Sequence, residues 1–242
     1  MGGVLMGEEA DKPSKIGPTT VKGVITFLDV LGWKGVYSRK TNAIHILMQL
    51  IEGVRSQAEE HRGRITGNIE VKSISDTIVI FTPCKEEEVS VAIDIHGALC
   101  QWIIPKSIDA EIPVRGAISY GEFEVNGNIF VGKGVDEAAA WHEQADWIGV
   151  HLTPSAEYLF DVEDGRAQWV SFSPPTKTPL KWEPHCIDWT ADWQDRSKKI
   201  QDIKKKFCLL GPIVPEIAGK YANTLKFIEY TNPKPESSPD ET

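Results

Sequence analysis

Val24-Ile25-Thr26-Phe27-Leu28-Asp29-Val30-Leu31-Gly32 and Val71-Lys72-Ser73-Ile74-Ser75-Asp76-Thr77-Ile78-Val79-Ile80-Phe81 each set one carboxylate in a hydrophobic, β-branched run. Such runs read as strands. An ionised Asp inside one is costly to bury unless hydrogen-bond donors or positive charge compensate it, and a divalent cation does so most completely. Two of them predict a shared metal site. Alone, Asp29 has the alternative of capping a following helix; the pair favours the metal.

Working outward, Ser38 to His61 carries Ile44, Leu47, Met48, Ile51 and Val54 at helical spacing, with Gly63 as a stop. Ile65 to Phe81 reads as two strands joined by a tight turn at Ser73 to Asp76, which puts Asp76 at a hairpin tip. Lys85 to Ile104 returns to helical spacing, opened by acidic Glu86 to Glu88 and ended by Pro105. Strands are expected at Val114 to Tyr120 and Gly121 to Phe130, an Ala-rich helix at Gly134 to Gln144 and a strand at Trp147 to Leu152. Beyond them Pro174 to Trp193 reads as irregular and Asp195 to Leu210 as a helix. This alternation predicts an α+β fold, a sheet with helices packed on it, rather than a doubly wound parallel sheet.

The chain has 242 residues, 41% hydrophobic and 25% charged, enough for one substantial core. Its net charge of -9 offers no basic footprint for nucleic acid or an anionic membrane surface, so a polyanionic substrate needs local help such as a metal ion. Cys84, Cys100, Cys186 and Cys208 show no C-x-x-C spacing, which argues against a zinc site or a disulfide framework. No apolar stretch is long enough to span a bilayer, and a cytoplasmic protein is expected. Residues 1–19 and 232–242 read as flexible ends of a body covering 20–231, whose motifs fall within 24–154 and leave 155–231 as an extension.

Four motifs, in order, resemble the class III nucleotidyl cyclase catalytic domain. Phe27-Leu28-Asp29-Val30-Leu31-Gly32-Trp33 is similar to F-x-D-x-x-G-F, and Lys72-Ser73-Ile74-Ser75-Asp76 to K-x-I-G-D with Ser75 for Gly. Arg115 to Gly121 is similar to R-x-G-I-x-x-G, and Gly132 to Ala139 to G-x-x-V-N-x-A-A. The resemblance implies a ferredoxin-like palm and two Mg²⁺ or Mn²⁺ ions held by Asp29, Asp76 and the Val30 carbonyl. It also implies catalytic roles for Asp29, Asp76 and Asp136, and substrate contacts from Phe27, Val30, Leu31, Gly32, Trp33, Lys72, Arg115 and Ile129. The amides of Val30 to Lys34 are expected to cradle phosphates at a strand-to-helix turn. For single residues the plainer readings stay open: a solvated strand lysine for Lys72, a structural ion pair for Arg115, a helix cap for Asp136.

The departures narrow the reading. Purine cyclases place an Asp, Thr or Cys where this chain has Ile129, so adenine's amino group finds no acceptor there. The transition-state Asn and Arg of the family fall at Asp136 and Ala140, leaving Arg115, Lys133, Lys34 and Arg39 as replacement cations. Together with Lys220-Tyr221-Ala222-Asn223-Thr224-Leu225, this pattern resembles the bacterial pyrimidine cyclases of the Pycsar anti-phage systems. That resemblance implies UTP, before CTP, as substrate, 3′,5′-cyclic UMP as product and a separate effector that senses it. It further implies a head-to-tail homodimer with Lys72, Ile129 and Asp136 facing the partner's metal aspartates. An adenylate or guanylate cyclase, or a non-catalytic nucleotide-binding dimerisation module, is the alternative.

Overall fold

The computed structural model describes residues 20–38, 40–127, 129–161, 168–210 and 215–233. The segments expected to be flexible lie outside these residues, apart from Asn232 and Pro233, and so does Arg39.

Strand β1 (Val21–Val30) is the centre of the molecule because every residue from Val24 to Leu28 is buried, on both faces. Helix α1 (Ala43–Glu60) follows, then β2 (Glu70–Ile74), β3 (Thr77–Pro83), α2 (Val89–Asp109) and β4 (Val114–Asn126). These strands lie in the order β2-β3-β1-β4, with β1 antiparallel to both neighbours. This is the split βαβ arrangement of ferredoxin-like sheets. The chain continues through β5 (Ile129–Val131), α3 (Lys133–Gln144), β6 (Val150–Leu152), the short α4 (Pro154–Glu157), β7 (Trp169–Ser171), β8 (His185–Ile187), α5 (Arg196–Leu209) and α6 (Pro215–Thr231). Strand β6 pairs parallel to β4, and β8 and β7 extend the same sheet.

Alternation along β1 divides the core. Val24, Leu28 and Val30 join the larger cluster with residues of α1, α2, α5 and α6, whereas Ile25 and Phe27 join a smaller one with Val79, Phe81, Phe123, Val135 and Ala138. Strand β4 outruns β1, and its arm with β5 lies across this second face, where Phe130 meets Phe81 at 5.6 Å.

Four sequence expectations are revised. Helix α2 runs through Pro105 to Asp109, because a proline near the end of a helix removes a single backbone bond and the buried sides of Ile103, Ile104 and Ile108 hold the last turn. The strands expected at 114–120 and 121–130 are mostly one, β4, followed by the short β5. Ile44 and Met48 face outward, because Ala43, Leu47, Leu50, Ile51, Val54 and Ala58 form the stripe that meets the core. The stretch 174–193 contains β8, and Trp189 within it is fully buried. No helix among the described residues is long and apolar enough to cross a membrane.

Candidate active site

Asp29 stands at the end of β1, on the face covered by α3, in register with Thr77 of β3 and Arg115 of β4. The β2–β3 hairpin closes through Ser75 and Asp76, since Ile74 pairs with Thr77. Its tip is tied to β1 by the Val30 N–H, which donates to the Asp76 carbonyl at 3.3 Å. Three strands therefore deliver Asp29, Asp76 and Arg115 to one end of the sheet. The chain then turns sharply at Gly32, with φ of 72°, a left-handed conformation that glycine takes without steric cost.

The charges are unbalanced. Arg115 lies 3.7 Å from Asp29, with side-chain exposures of 10% and 22%. Burial still raises the Asp29 carboxyl pKa; Arg115 and His142 lower it, and Asp76 and Glu143 raise it further. Burial likewise lowers the Arg115 pKa, against the opposing fields of Asp29, Asp146 and Glu143. One guanidinium thus compensates this acidic corner incompletely. Arg115 also donates to the Ala145 carbonyl, while its buried Nε has no acceptor among the described residues.

The donor set fits a hard divalent cation. Among the described residues no three acidic, His or Cys side chains form a ligand group. Two carboxylates with a backbone carbonyl nevertheless match the way Mg²⁺ is held, through one or two carboxylates with waters and substrate phosphates completing the shell.

Other expected site residues fall elsewhere. Phe27 is a core side chain, 9% exposed, whose ring meets that of His142 at 5.8 Å, so its side chain is not presented to a substrate. The phosphate cradle is smaller than expected: the Val30 amide is committed to Asp76 and the Leu31 amide to the Pro113 carbonyl at 2.8 Å. Beyond Leu31 the chain makes a turn and a short 3-10 segment, Val36–Ser38, rather than a helix N-terminus. Trp33 packs partly against the main core. Lys72 is not a solvated strand lysine. Its ammonium donates to the Gly127 carbonyl at 2.6 Å, 5.3 Å from the centre of the Phe81 ring. Ile129, 68% exposed, lies on the same β4–β5 arm. Asp136 is exposed one turn inside α3, whose cap is Gly132, so it is no N-cap. Lys34, Lys133 and Ala140 are exposed as well.

Sequence reasoning missed His142, Asp146 and Lys220. His142 is an isolated residue near the end of α3, and no spacing marks it. The motif containing Lys220 is visible, but its contact is not: Lys220 pairs with Asp146 at 3.0 Å, Asn223 donates to the Asp146 carbonyl at 2.9 Å, and the Ile148 amide donates to Thr224 at 2.8 Å.

This architecture has solved counterparts. A bacterial light-regulated adenylyl cyclase matches 83% of this chain with a TM-score of 0.53 and 12% identity, and this chain spans 60% of its length. The catalytic core of a rhodopsin-guanylyl cyclase with converted specificity, in complex with ATPαS, matches over 70% of this chain and 97% of its own, with a TM-score of 0.50 and 14% identity. The fold is that of the class III cyclase catalytic domain. At this identity the likeness establishes the architecture; the reaction has to be argued from the site. No family model and no curated protein matches the sequence.

Proposed function

We propose that the chain is a divalent-metal-dependent nucleotide cyclase that acts as a head-to-tail homodimer on UTP, forming 3′,5′-cyclic UMP and pyrophosphate. The observation that carries this reading is the delivery of Asp29 and Asp76 to one end of a cyclase-type sheet by β1 and the β2–β3 hairpin. In the reaction the 3′-oxygen attacks the α-phosphorus in line, the bond to the bridging oxygen of pyrophosphate breaks, and the hydroxyl proton is released. Bound Mg²⁺ or Mn²⁺, two ions per site, supplies charge neutralisation on the phosphate oxygens and a lower pKa for the attacking hydroxyl.

Asp29, Asp76 and the Val30 carbonyl are the groups to hold those ions. Among the described candidate cations Arg115 reaches Asp29, and it is placed to meet phosphate charge once Asp29 is neutralised. Lys72, Ile129 and Asp136 serve the partner's site across the dimer, where Lys72 gives one of its three N–H donors to Gly127 and keeps others for a nucleotide. Ile129 offers adenine's amino group no acceptor, and an unpaired buried donor costs about 1–3 kcal/mol. That cost disfavours adenine. In this reading the product is a signal made in the cytoplasm and sensed by a separate effector during phage infection.

Exposed Ala140, one turn beyond Asp136, supports a second reading, a non-catalytic nucleotide-binding module. Incubation with each of the four labelled ribonucleoside triphosphates and Mn²⁺ separates the two. Cyclic UMP as the main product, lost in Asp76→Asn, supports the proposal. Dominant conversion of ATP or GTP overturns the base assignment, and nucleotide binding without any product establishes the module.

A further inference from the structure

The loop between α3 and β6 joins the candidate site to a helix far away in sequence. The Ala145 carbonyl accepts from the Arg115 guanidinium, and the next residue, Asp146, is gripped by α6. Its carboxylate pairs with Lys220 at 3.0 Å and lies 3.4 Å from the Asn223 amide nitrogen. Its backbone N–H donates to the Pro175 carbonyl at 2.9 Å. Lys220 has a side chain only 12% exposed, and holding an ammonium there is costly unless it is paired. Arg115 thus has three carboxylates within its field, Asp29 on the site side, Asp146 on the loop side and Glu143 at the end of α3. Lys220 takes up the second.

We propose that Lys220 is a positioning residue for the Asp29–Asp76 corner: by neutralising Asp146 it leaves the Arg115 guanidinium directed at Asp29. Arg115 then acts as a resident counter-charge that an incoming divalent cation must displace, and Lys220 sets how firmly it stays. The inference rests on the metal-binding part of the proposed function and not on the identity of the base.

The test is Mn²⁺ binding to the nucleotide-free full chain, read from the electron paramagnetic resonance signal of free Mn²⁺. In Lys220→Met the uncovered Asp146 draws Arg115 away from Asp29, and Mn²⁺ binds about three- to tenfold more tightly, within the coupling range of one ion-pair network. Lys220→Arg keeps the wild-type affinity. Asp146→Asn leaves Lys220 as an excess cation and shifts affinity the opposite way, so the test survives if Lys220→Met fails to fold. The double variant Lys220→Met/Asp146→Asn returns to wild type, and Lys226→Met, an exposed lysine on the same helix, stays there. A merely structural lysine produces neither the opposite shifts nor the rescue. An unchanged Lys220→Met, a shift that persists in the double variant, or an equal shift in Lys226→Met overturns the proposal alone. Wild-type protein that binds no Mn²⁺ overturns the metal reading and the proposal with it.

Discussion

Two buried imidazoles should make this protein less stable in acid. His96 is fully buried, its ring nitrogens bonded to the hydroxyls of Thr26 and Thr82 at 2.7 and 2.9 Å, and burial pushes its pKa down to about 3. His151 is also fully buried, neither ring nitrogen has a partner among the described residues, and its pKa is pushed down to about 4. Both rings are neutral in the fold, while the unfolded chain takes up protons near pH 6.5. Stability is therefore intact above about pH 6.5 and falls below it, the loss continuing towards pH 4 for His151 and pH 3 for His96. At pH 5 each ring is about 1.5 pH units below its unfolded pKa, a loss of about 2 kcal/mol per histidine and about 4 kcal/mol for both. That is a large share of the 5–15 kcal/mol typical of a domain. Urea unfolding at pH 7 and pH 5 measures it. His151→Phe, which substitutes an apolar ring beside Trp141, should lessen the pH-dependent loss by about 2 kcal/mol. The raised carboxyl of Asp29 acts in the opposite sense and His61, its pKa lowered by burial and by Arg64, in the same sense, but both are present in both proteins and cancel in the comparison. A loss between pH 7 and 5 that is the same in His151→Phe as in wild type would refute the reasoning.

Three further outcomes are expected. Ile129→Asp supplies an acceptor for adenine's amino group and should raise the ratio of ATP to UTP turnover about tenfold, consistent with the 1–3 kcal/mol of an unpaired buried donor; product analysis in mixed triphosphates checks it. Ser75 has φ of 55° as the first residue of a two-residue hairpin loop, a position that favours glycine, so Ser75→Gly should stabilise the fold by up to about 1 kcal/mol in urea unfolding. Trp147 is fully buried, with its ring 4.6 Å from Phe227, and Trp147→Ala should cost about 3–5 kcal/mol in the same assay, loosening α6 first by hydrogen exchange.

The parts of the fold legible in sequence were those set by local chemistry. The β-branched run of β1, the helical spacing of α1 and α2, and the small polar residues at the hairpin tip each carry their own signal. The two aspartates were legible because a charge in an apolar strand is anomalous wherever the strand goes. What was hidden depends on partners distant in the chain. Phe27 reads like a site residue from its motif, but the alternation of β1 turns it beneath α3. The amides of Val30 and Leu31 read as available until Asp76 and Pro113 are seen to take them. For Lys72 a solvated lysine stays open beside a substrate contact, because nothing in its own strand indicates that the β4–β5 arm crosses the sheet to meet it. The link from Lys220 to Arg115 depends on a loop contact with no local sequence signal.

That loop also imposes an order in time. The chain is made from its N-terminus, and β1, the β2–β3 hairpin and β4 are complete in sequence well before α6 exists. A nascent chain can thus hold Asp29, Asp76 and Arg115 in one sheet while Asp146 is still without Lys220 and the Ile148 amide without Thr224. The charge arrangement of the site is completed only when α6 docks.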